Sequence, residues 1–361
     1  MIRAAIIDDR LDPAVTPLAG DWLVDEQQRI VPNRNGVRPE DGHATTCMRI
    51  LCKYARTREA EWHAVQLLRA DTWRGNAQGF ARALEFCASL GVDLVHLSIG
   101  SSEERDLSLL RPAVNALLAR GALIVASVSN RRVFTCPACL PGVIGVVCDP
   151  LLRDADYRPV RPDFRGIDFR ASSRHALDGR VTPVSNSYAS PVVTAKVLDL
   201  LAAGCRTHAR VMQALRRGGS GGLAPPWSDE PDGEVELPVV VCSGYRGAAL
   251  AALLSGLRDR FAASDYRCRT AAAGTLAGHA PLPGTGAYNA RVRALCRFYP
   301  CDLLLLGSER RLEPACLPDA SVFLYPRGGA LPASGEEQPC LEADADRVDD
   351  VYAALLGLLR E

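Results

Sequence analysis

The chain has 361 residues, of which 48% are hydrophobic and 23% are charged, a composition that excludes a disordered or fibrous protein. Lys and Arg together number 42, as do Asp and Glu, so the formal net charge is zero. Without a net basic field, nucleic acid and anionic membranes are poor candidates for the main partner. The length leaves room for two domains.

The cysteines and the first residues predict a cytoplasmic protein with reduced thiols. The 13 cysteines are scattered, and an odd number cannot all pair. The opening MIRAAIIDD has no signal-peptide pattern, and no apolar stretch is long enough to span a bilayer. Cys136 and Cys139 lack the second pair that a zinc site needs, so we expect no metal and no other cofactor.

Strand and helix patterns alternate through the first part of the chain. Apolar runs predict strands at residues 2–7, 63–68, 92–99, 122–128 and 142–147. Helical spacing and capping residues predict helices at 76–90, 112–119, 191–201 and 207–217, two of which begin at Pro112 and Pro191. This alternation predicts an α/β fold with a mostly parallel sheet and helices on both faces.

A Gly- and Pro-rich break separates a second, smaller α/β unit from the first. The break predicts a linker over 218–235, between a first domain at 1–217 and a second at 236–361. In the second domain, strands are predicted at 237–242, 303–306 and 321–325, and helices at 248–261 and 346–359.

Four residues of the first domain stand where chemistry is often placed. Asp8 ends a strand, His43 opens a helix, Asn130 follows a strand, and Ser187 precedes Pro191. Taken singly, such residues are usually turn formers, satisfied histidines or helix caps.

Taken together and in this order, the segments resemble the blocks of the subtilisin-like serine proteases, whose chain order of Asp, His and Ser is a known family feature. Ile6-Ile7-Asp8 is similar to the Asp strand, and His43-Ala44-Thr45-Thr46 to the His block. Val125 to Asn130 is similar to the Asn block, and Ser185 to Pro191 to the Ser block. Two further segments, 95–100 and 137–144, also resemble the family, and the resemblance covers residues 1–215.

The resemblance implies a role for each residue. Ser187 would be the nucleophile, His43 the general base and then acid, and Asp8 the carboxylate that orients the imidazole. Asn130 and the backbone N–H of Ser187 would stabilise the oxyanion. Asp9 is the alternative to Asp8 for the carboxylate.

The sequence departs from the family pattern at several positions. Ser185-Asn186 stands for Gly-Thr, which makes Asn186 a candidate second oxyanion donor, and Ala44 and Thr46 stand for Gly and His. The resemblance also implies walls for the substrate cleft, with Thr135 near its floor. These substrate-binding residues are Ser98, Ile99, Gly100, Val128, Ser129, Arg131, Thr135 and Asn186. Arg131 is either a cleft residue that favours an acidic side chain or a solvated loop arginine.

Two other patterns are set aside. Residues 218–222 match Gly-x-Ser-x-Gly, but this serine lies in the predicted linker with no strand before it. Residues 242–249 follow a strand and open a helix, yet they lack the Lys and Ser/Thr of a phosphate-binding loop. The default expectation is therefore that the second domain binds the substrate peptide or a partner protein, and a nucleotide-controlled switch is the remaining alternative.

The sequence as a whole predicts an intracellular serine endopeptidase with a subtilisin-like fold and an appended α/β domain. Its substrate would be a peptide or protein cleaved at limited sites, for example in the maturation of a ribosomally made peptide. Because the first strand begins at residue 2, no prodomain is expected, and restraint would come from specificity, a partner or the second domain. The alternative is a catalytically weak or inactive subtilisin-like scaffold that binds a peptide or partner protein.

Overall fold

The computed structural model describes residues 1–34, 42–69, 75–162, 165–225, 237–273, 280–281, 288–317, 320–328 and 338–359. The chain divides into two compact units, Met1–Asp229 (unit 1) and Glu230–Glu361 (unit 2). The division falls inside the predicted linker 218–235. The first part of that segment packs on unit 1, where Ala224 exchanges backbone hydrogen bonds of 2.7 and 3.0 Å with Arg161 and Pro159. Residues 226–235 of the predicted linker lie outside the described residues.

Unit 1 is built on a 9-stranded sheet with the order β3-β2-β4-β1-β5-β6-β7-β9-β8. Its strands, with a separate antiparallel pair β10 and β11, are β1 (Ile2–Asp8), β2 (Leu18–Val24), β3 (Ile30–Pro32), β4 (Ala60–Gln66), β5 (Leu94–Leu97), β6 (Leu123–Ser127), β7 (Val143–Cys148), β8 (Tyr157–Pro159), β9 (Phe169–Ala171), β10 (Ala176–Leu177) and β11 (Arg180–Val181). Neighbouring strands are parallel except at the two ends of the sheet. There β3 pairs antiparallel with β2, and β8 pairs antiparallel with β9. The predicted mostly parallel sheet is confirmed.

Helices cover the sheet in two layers. They are α1 (His43–Tyr54), α2 (Ala77–Leu90), α3 (Leu107–Ala119), α4 (Asn186–Ala202) and α5 (His208–Gly218). Helix α1 packs against α4, and α2 packs against α3. Ala4 and Ile6 of β1 share one core with α1, α4 and α5. Their neighbours Ala5 and Ile7 are equally buried and point to the opposite face, because side chains alternate along a strand. Helices on both faces are thus confirmed.

Two helices begin about one turn earlier than their prolines suggested. We expected Pro112 and Pro191 to open their helices, but both lie inside, in α3 and α4. A proline lacks the backbone N–H of the i to i−4 hydrogen bond, so it is tolerated near a helix start but leaves one carbonyl without its helical donor. In α4 this carbonyl belongs to Ser187.

Unit 2 is a 6-stranded parallel sheet with the order β14-β13-β15-β12-β16-β17. Its elements are β12 (Val239–Ser243), α6 (Gly247–Ala263), β13 (Cys268–Ala273), β14 (Ala280–Pro281), α7 (Tyr288–Phe298), β15 (Leu303–Ser308), β16 (Val322–Tyr325), β17 (Cys340–Glu342) and α8 (Val348–Leu358). Strands β12, β15 and β16 and helices α6 and α8 were predicted; the others were not. Leu250, Leu254 and Leu257 of α6 form a core with α8 and the central strands.

Among the helices that the structure describes, none combines the length and the apolar character needed to cross a membrane.

The parallel strands of unit 1 bring several loops to one edge. Because parallel strands end at the same edge, Asp8 at the end of β1, Ser98 after β5 and Asn130 after β6 lie on the same side of the sheet. The N-termini of α1 and α4 arrive at this edge, as the contacts below show.

Candidate active site

Asp8 and His43 form a hydrogen-bonded pair. Asp8 is 0% exposed, and its carboxylate accepts from Nδ1 of His43, with Nδ1 at 2.9 Å from Oδ2 and 3.1 Å from Oδ1. The backbone N–H of Asp9 donates to Oδ1 at 2.8 Å, and the hydroxyl of Ser98 donates to Oδ2. The carboxylate is therefore fixed from three directions and in turn fixes the imidazole.

Ser98 was expected to line the substrate cleft, but it is 8% exposed and its hydroxyl is committed to Asp8. The structure places it beneath the carboxylate, as a group that positions Asp8. The sequence pattern gave no sign of this contact, because the two residues are 90 positions apart.

The charges of the pair are mutually stabilising. Burial alone would raise the pKa of Asp8, but the charge of His43 and the hydrogen bonds from His43, Ser98 and Asp9 lower it overall. Burial alone would lower the pKa of His43, but the charge and hydrogen bond of Asp8, with a further contribution from Asp9, raise it overall. The carboxylate thus stays ionised and favours the imidazolium form, which is the property required of a general base.

Asp9 serves a different purpose from Asp8. Its carboxylate accepts from the backbone N–H groups of His43, at 2.9 Å, and Ala44, at 2.6 Å. Gly42 at the N-cap of α1 has no side chain to cap the helix, so Asp9 supplies the cap from the end of β1. Burial and the charge of Asp8 raise the pKa of Asp9. Of the two candidate carboxylates, Asp8 contacts the imidazole ring.

Ser187 is the second residue of α4, and its backbone is tied to α1. Because Pro191 has no N–H, the carbonyl of Ser187 lacks its helical donor. It accepts instead from the hydroxyl of Ser190 at 3.3 Å and from the thiol of Cys47 at 3.5 Å. Cys47 lies one turn after His43 on α1, so this contact joins the helix that carries the histidine to the residue that carries the candidate nucleophile.

Tyr188 provides a second link between the two helices. Its ring lies against the ring of His43, with the centroids 5.4 Å apart. The structure thus brings Asp8, His43 and the segment Ser187–Tyr188 to one place, although they are far apart in the sequence.

The hydroxyl of Ser187 has a partner other than the imidazole. Ser187 Oγ lies 2.7 Å from Ser185 Oγ, and Ser185 Oγ accepts from Asn130 Nδ2 at 3.2 Å. Ser185 is the N-cap residue of α4, yet its side chain makes no capping hydrogen bond. A serine at this position ordinarily caps the helix, so its engagement with side chains was not foreseen.

Asn130 is held at the N-terminus of α4. Its Oδ1 accepts from the backbone N–H of Asn186 at 2.8 Å, which leaves Nδ2 on the side of Ser185. The backbone N–H of Ser187 belongs to the first turn of α4, where helix N–H groups lack helical acceptors, and within the described ranges none accepts from it. The Asn130 amide thus contacts Ser185, whose hydroxyl contacts Ser187 Oγ.

Asn186 does not fit the role of a second oxyanion donor. It is 4% exposed, its Nδ2 donates to the carbonyl of Ser129 at 3.0 Å, and its Oδ1 accepts from the backbone N–H of Cys148 at 2.8 Å. Both ends of the amide are engaged inside the protein. Asn186 ties the start of α4 to the ends of β6 and β7, so the sequence-based interpretation of this residue is corrected.

The two segments expected to wall the cleft are joined to each other. Ser101 and Cys136 exchange backbone hydrogen bonds of 2.8 and 2.7 Å. Next to them, a Cβ on Gly100 would stand only 2.6 Å from the Thr135 side chain, so this close approach requires glycine. Thr135 is buried and uses its hydroxyl internally, accepting from Ser129 N at 2.8 Å and donating to Val133 O at 2.9 Å.

The remaining expected substrate-binding residues differ in accessibility. Val128 is buried, Ile99 and Ser129 are half-buried, and Gly100 and Arg131 are exposed. The backbone N–H of Arg131 donates to Ser129 Oγ at 3.2 Å. An acidic preference imposed by Arg131 stays a prediction.

Asp8, His43 and Cys47 offer ligand atoms within 4.8 Å of one another, the spacing of a metal site. The donor set does not suit a metal ion. Burial, with the charge of Asp8 adding to it, raises the pKa of the Cys47 thiol well above its ordinary value, whereas metals bind the thiolate. Asp8 already accepts the three hydrogen bonds given above. In the part of the chain described, Cys136, Cys139 and Cys148 form no comparable group.

No protein-family model and no curated protein matches the chain. Among solved structures, it is similar to sphericase, at 19% identity, with 62% of this chain and 86% of that one covered and a TM-score of 0.46. It is similar to a mutant of the protease domain of PatA, at 20% identity, 59% and 86% coverage and a TM-score of 0.45. It is also similar to a lanthipeptide protease, at 16% identity, 60% and 79% coverage and a TM-score of 0.46. These likenesses concern the fold alone.

Proposed function

We propose that the chain is a subtilisin-like serine endopeptidase whose catalytic triad is Ser187, His43 and Asp8. The observation that supports this most directly is the pairing of His43 Nδ1 with the fully buried carboxylate of Asp8 at 2.9 Å. Such a pair sets the tautomer of the imidazole and leaves Nε2 as the base. The contact of Cys47 with the Ser187 carbonyl places the candidate nucleophile beside the same helix.

In the first half of the proposed reaction, Ser187 Oγ forms a bond to the carbonyl carbon of the scissile peptide. Its proton passes to Nε2 of His43, and Asp8 stabilises the resulting imidazolium. The carbonyl π electrons move onto oxygen. Asn130 Nδ2 and the backbone N–H of Ser187 donate to this oxyanion, and each such donor typically contributes about 3 kcal/mol.

In the second half, His43 gives its proton to the amide nitrogen, the C–N bond breaks, and an acyl-enzyme on Ser187 remains. Water then attacks the ester carbonyl while His43 takes a proton from it, and the return of that proton to Ser187 Oγ releases the carboxylic acid. These steps use the side chains of Ser187, His43, Asp8 and Asn130, the backbone N–H of Ser187 and one water molecule.

The proposed substrate is a peptide or protein in extended form, lying along residues 99–101 and 129–133, which are exposed or half-buried. We propose limited proteolysis as the role, for example maturation of a ribosomally made peptide, and assign unit 2 to recognition of the substrate or a partner protein. Arg131 is expected to favour substrates with an acidic residue directly before the scissile bond. Cleavage of a peptide library that varies this residue tests the expectation. Equal cleavage of acidic and neutral peptides would remove that part of the proposal.

A fluorophosphonate probe tests the triad. Ser187 Oγ displaces fluoride from phosphorus, and the expected result is a stable adduct on Ser187, identified by peptide mass spectrometry. Ser187→Ala should abolish the adduct and lower peptide hydrolysis by at least about 10⁴-fold. The control Ser89→Ala, on an exposed serine near the end of α2, should label like the wild type.

The competing function is a scaffold that binds a peptide without cleaving it. One observation favours it: Ser187 Oγ is hydrogen bonded to Ser185 rather than to His43. A folded protein that binds peptides yet shows no Ser187-dependent labelling would decide for the scaffold.

A further inference from the structure

Ser185 stands between the two groups that the proposed reaction needs. Its hydroxyl lies 2.7 Å from Ser187 Oγ and 3.2 Å from Asn130 Nδ2. In a tetrahedral intermediate on Ser187, the oxyanion also has to lie next to both Ser187 Oγ and Asn130 Nδ2. The hydroxyl of Ser185 therefore occupies the neighbourhood where the substrate oxygen has to bind.

We propose that Ser185 is an internal latch, a positioning residue whose hydroxyl fills the oxyanion site and restrains Ser187 until a substrate carbonyl displaces it. This inference rests on the proposed function. With the latch closed, one of the two amide protons of Asn130, the one directed at Ser185, is already in use. In the orientation in which Ser187 donates to Ser185, the proton of Ser187 is also kept from His43.

The displaced hydroxyl has another place to bind. Ser185 is the N-cap residue of α4, with extended backbone angles of φ −155° and ψ 143°, which suit a capping side chain. Rotation about χ1 would let its Oγ accept from the backbone N–H of Tyr188, the third residue of the helix. That N–H at present makes a contact of 3.2 Å with the Ser185 carbonyl. Opening the latch thus exchanges side-chain hydrogen bonds for a helix cap.

Ser185→Ala removes the hydroxyl and Ser185→Thr retains it, so the two variants separate the latch from packing. We expect Ser185→Ala to raise the second-order rate of fluorophosphonate labelling about fivefold, as for the loss of one typical hydrogen bond. Peptide hydrolysis should show a lower KM at an unchanged kcat, because the latch competes with substrate binding. Ser185→Thr should stay within about twofold of the wild type, and Ser89→Ala again serves as the control.

The labelling rates distinguish loss of the Ser185 latch from a general disturbance of the fold. A variant that only disturbed the fold would label more slowly, and a tenfold slower Ser185→Ala would instead make Ser185 a required oxyanion donor. Either a slower or an unchanged Ser185→Ala overturns the latch.

A double-mutant cycle on Tm tests the contact without any activity. If Ser185 and Ser187 are hydrogen bonded, Ser185→Ala and Ser187→Ala together should lower Tm by less than the sum of the single changes. Additive shifts would overturn the latch. Coupled shifts in a protein that never labels would instead overturn the proposed function while keeping the contact.

Discussion

Units 1 and 2 are each built on a parallel or mostly parallel sheet, but their polar side chains have different partners at the edge where the parallel strands end. In unit 2, Ser243 ends β12 and its Oγ accepts from the backbone N–H of Leu312 at 2.6 Å. Tyr325 ends β16 and donates to the Leu312 carbonyl at 2.7 Å, and Tyr245 donates to the Ala343 carbonyl at 2.8 Å. These side chains hold loops in place.

In unit 1, Asp9 and Asn186 likewise hold backbone groups, but other polar side chains at this edge bond to one another. Asp8 pairs with His43 and Ser98, and Ser185 bridges Ser187 and Asn130. A side chain that satisfies a buried backbone group is difficult to withdraw, because the group left behind loses its partner. A side chain bonded to another near the surface can exchange that partner for a ligand. The difference is consistent with the chemistry proposed for the edge of unit 1.

The largest test of the comparison is Asp8→Asn. The amide keeps the shape of the carboxylate but removes the charge that stabilises the imidazolium, so labelling and hydrolysis should fall about 10⁴-fold. Asp9→Asn is the matched variant, since it retains one oxygen to cap α1, and it should stay within about tenfold of the wild type. Labelling rates of the purified variants give the comparison, and equal losses for both would contradict the assignment of Asp8.

The next test is the pH dependence of labelling. In the proposed reaction His43 acts as a base only when neutral. Burial opposes its positive charge, but Asp8 and Asp9 raise its pKa overall from the ordinary value of 6.5. The rate should therefore fall as the pH drops, with a midpoint above 6.5 between pH 5 and 9. Unit 2 offers no counterpart among its described residues, because its one histidine, His279, lies outside them. A midpoint at or below 6.5 would contradict the Asp8–His43 pairing.

The smallest expected effect is that of Ser243→Ala in unit 2. It leaves the buried N–H of Leu312 without the Ser243 acceptor, which typically costs about 1–3 kcal/mol. Chemical denaturation should show this loss in unit 2, and fluorophosphonate labelling should be unchanged. A loss of labelling comparable to that of Ser187→Ala would show that the two edges do not differ as described.

Local sequence patterns were enough to predict the strands that end at this edge, whereas Asp8 and His43 were singled out only by the order of the segments that resemble the subtilisin-like family. Asp8 follows an apolar run and His43 opens a helix, and both signals lie within a few residues of the position they mark. Strand β13 was missed because its sequence, CRTAAA, has no large apolar residue and ends in three small alanines. Its place in the sheet comes from pairing with β14 on one side and β15 on the other.

Partners across the fold could not be predicted. The sequence shows a serine at 98 and an amide at 186, but not that one supports Asp8 and the other closes onto Ser129 and Cys148. The early starts of α3 and α4 have the same origin. A proline limits where a helix can begin but does not determine its first residue. The carbonyl four residues before the proline loses its helical donor, and a distant side chain, such as Cys47 for the Ser187 carbonyl, can donate to it instead.

The cap that Asp9 places on α1 has an electrostatic consequence for the base. The aligned peptide dipoles of a helix concentrate positive potential at its first turn, where His43 sits, and this would disfavour a second positive charge on the imidazole. The Asp9 carboxylate, bonded to the first two N–H groups of α1, offsets that potential at its source. Asp8 both orients the ring and contributes most to raising its pKa, and Asp9 adds a smaller contribution from the end of the helix. Substitution at residue 9 is therefore a way to shift the pKa of the imidazole without removing the hydrogen bond that aligns it.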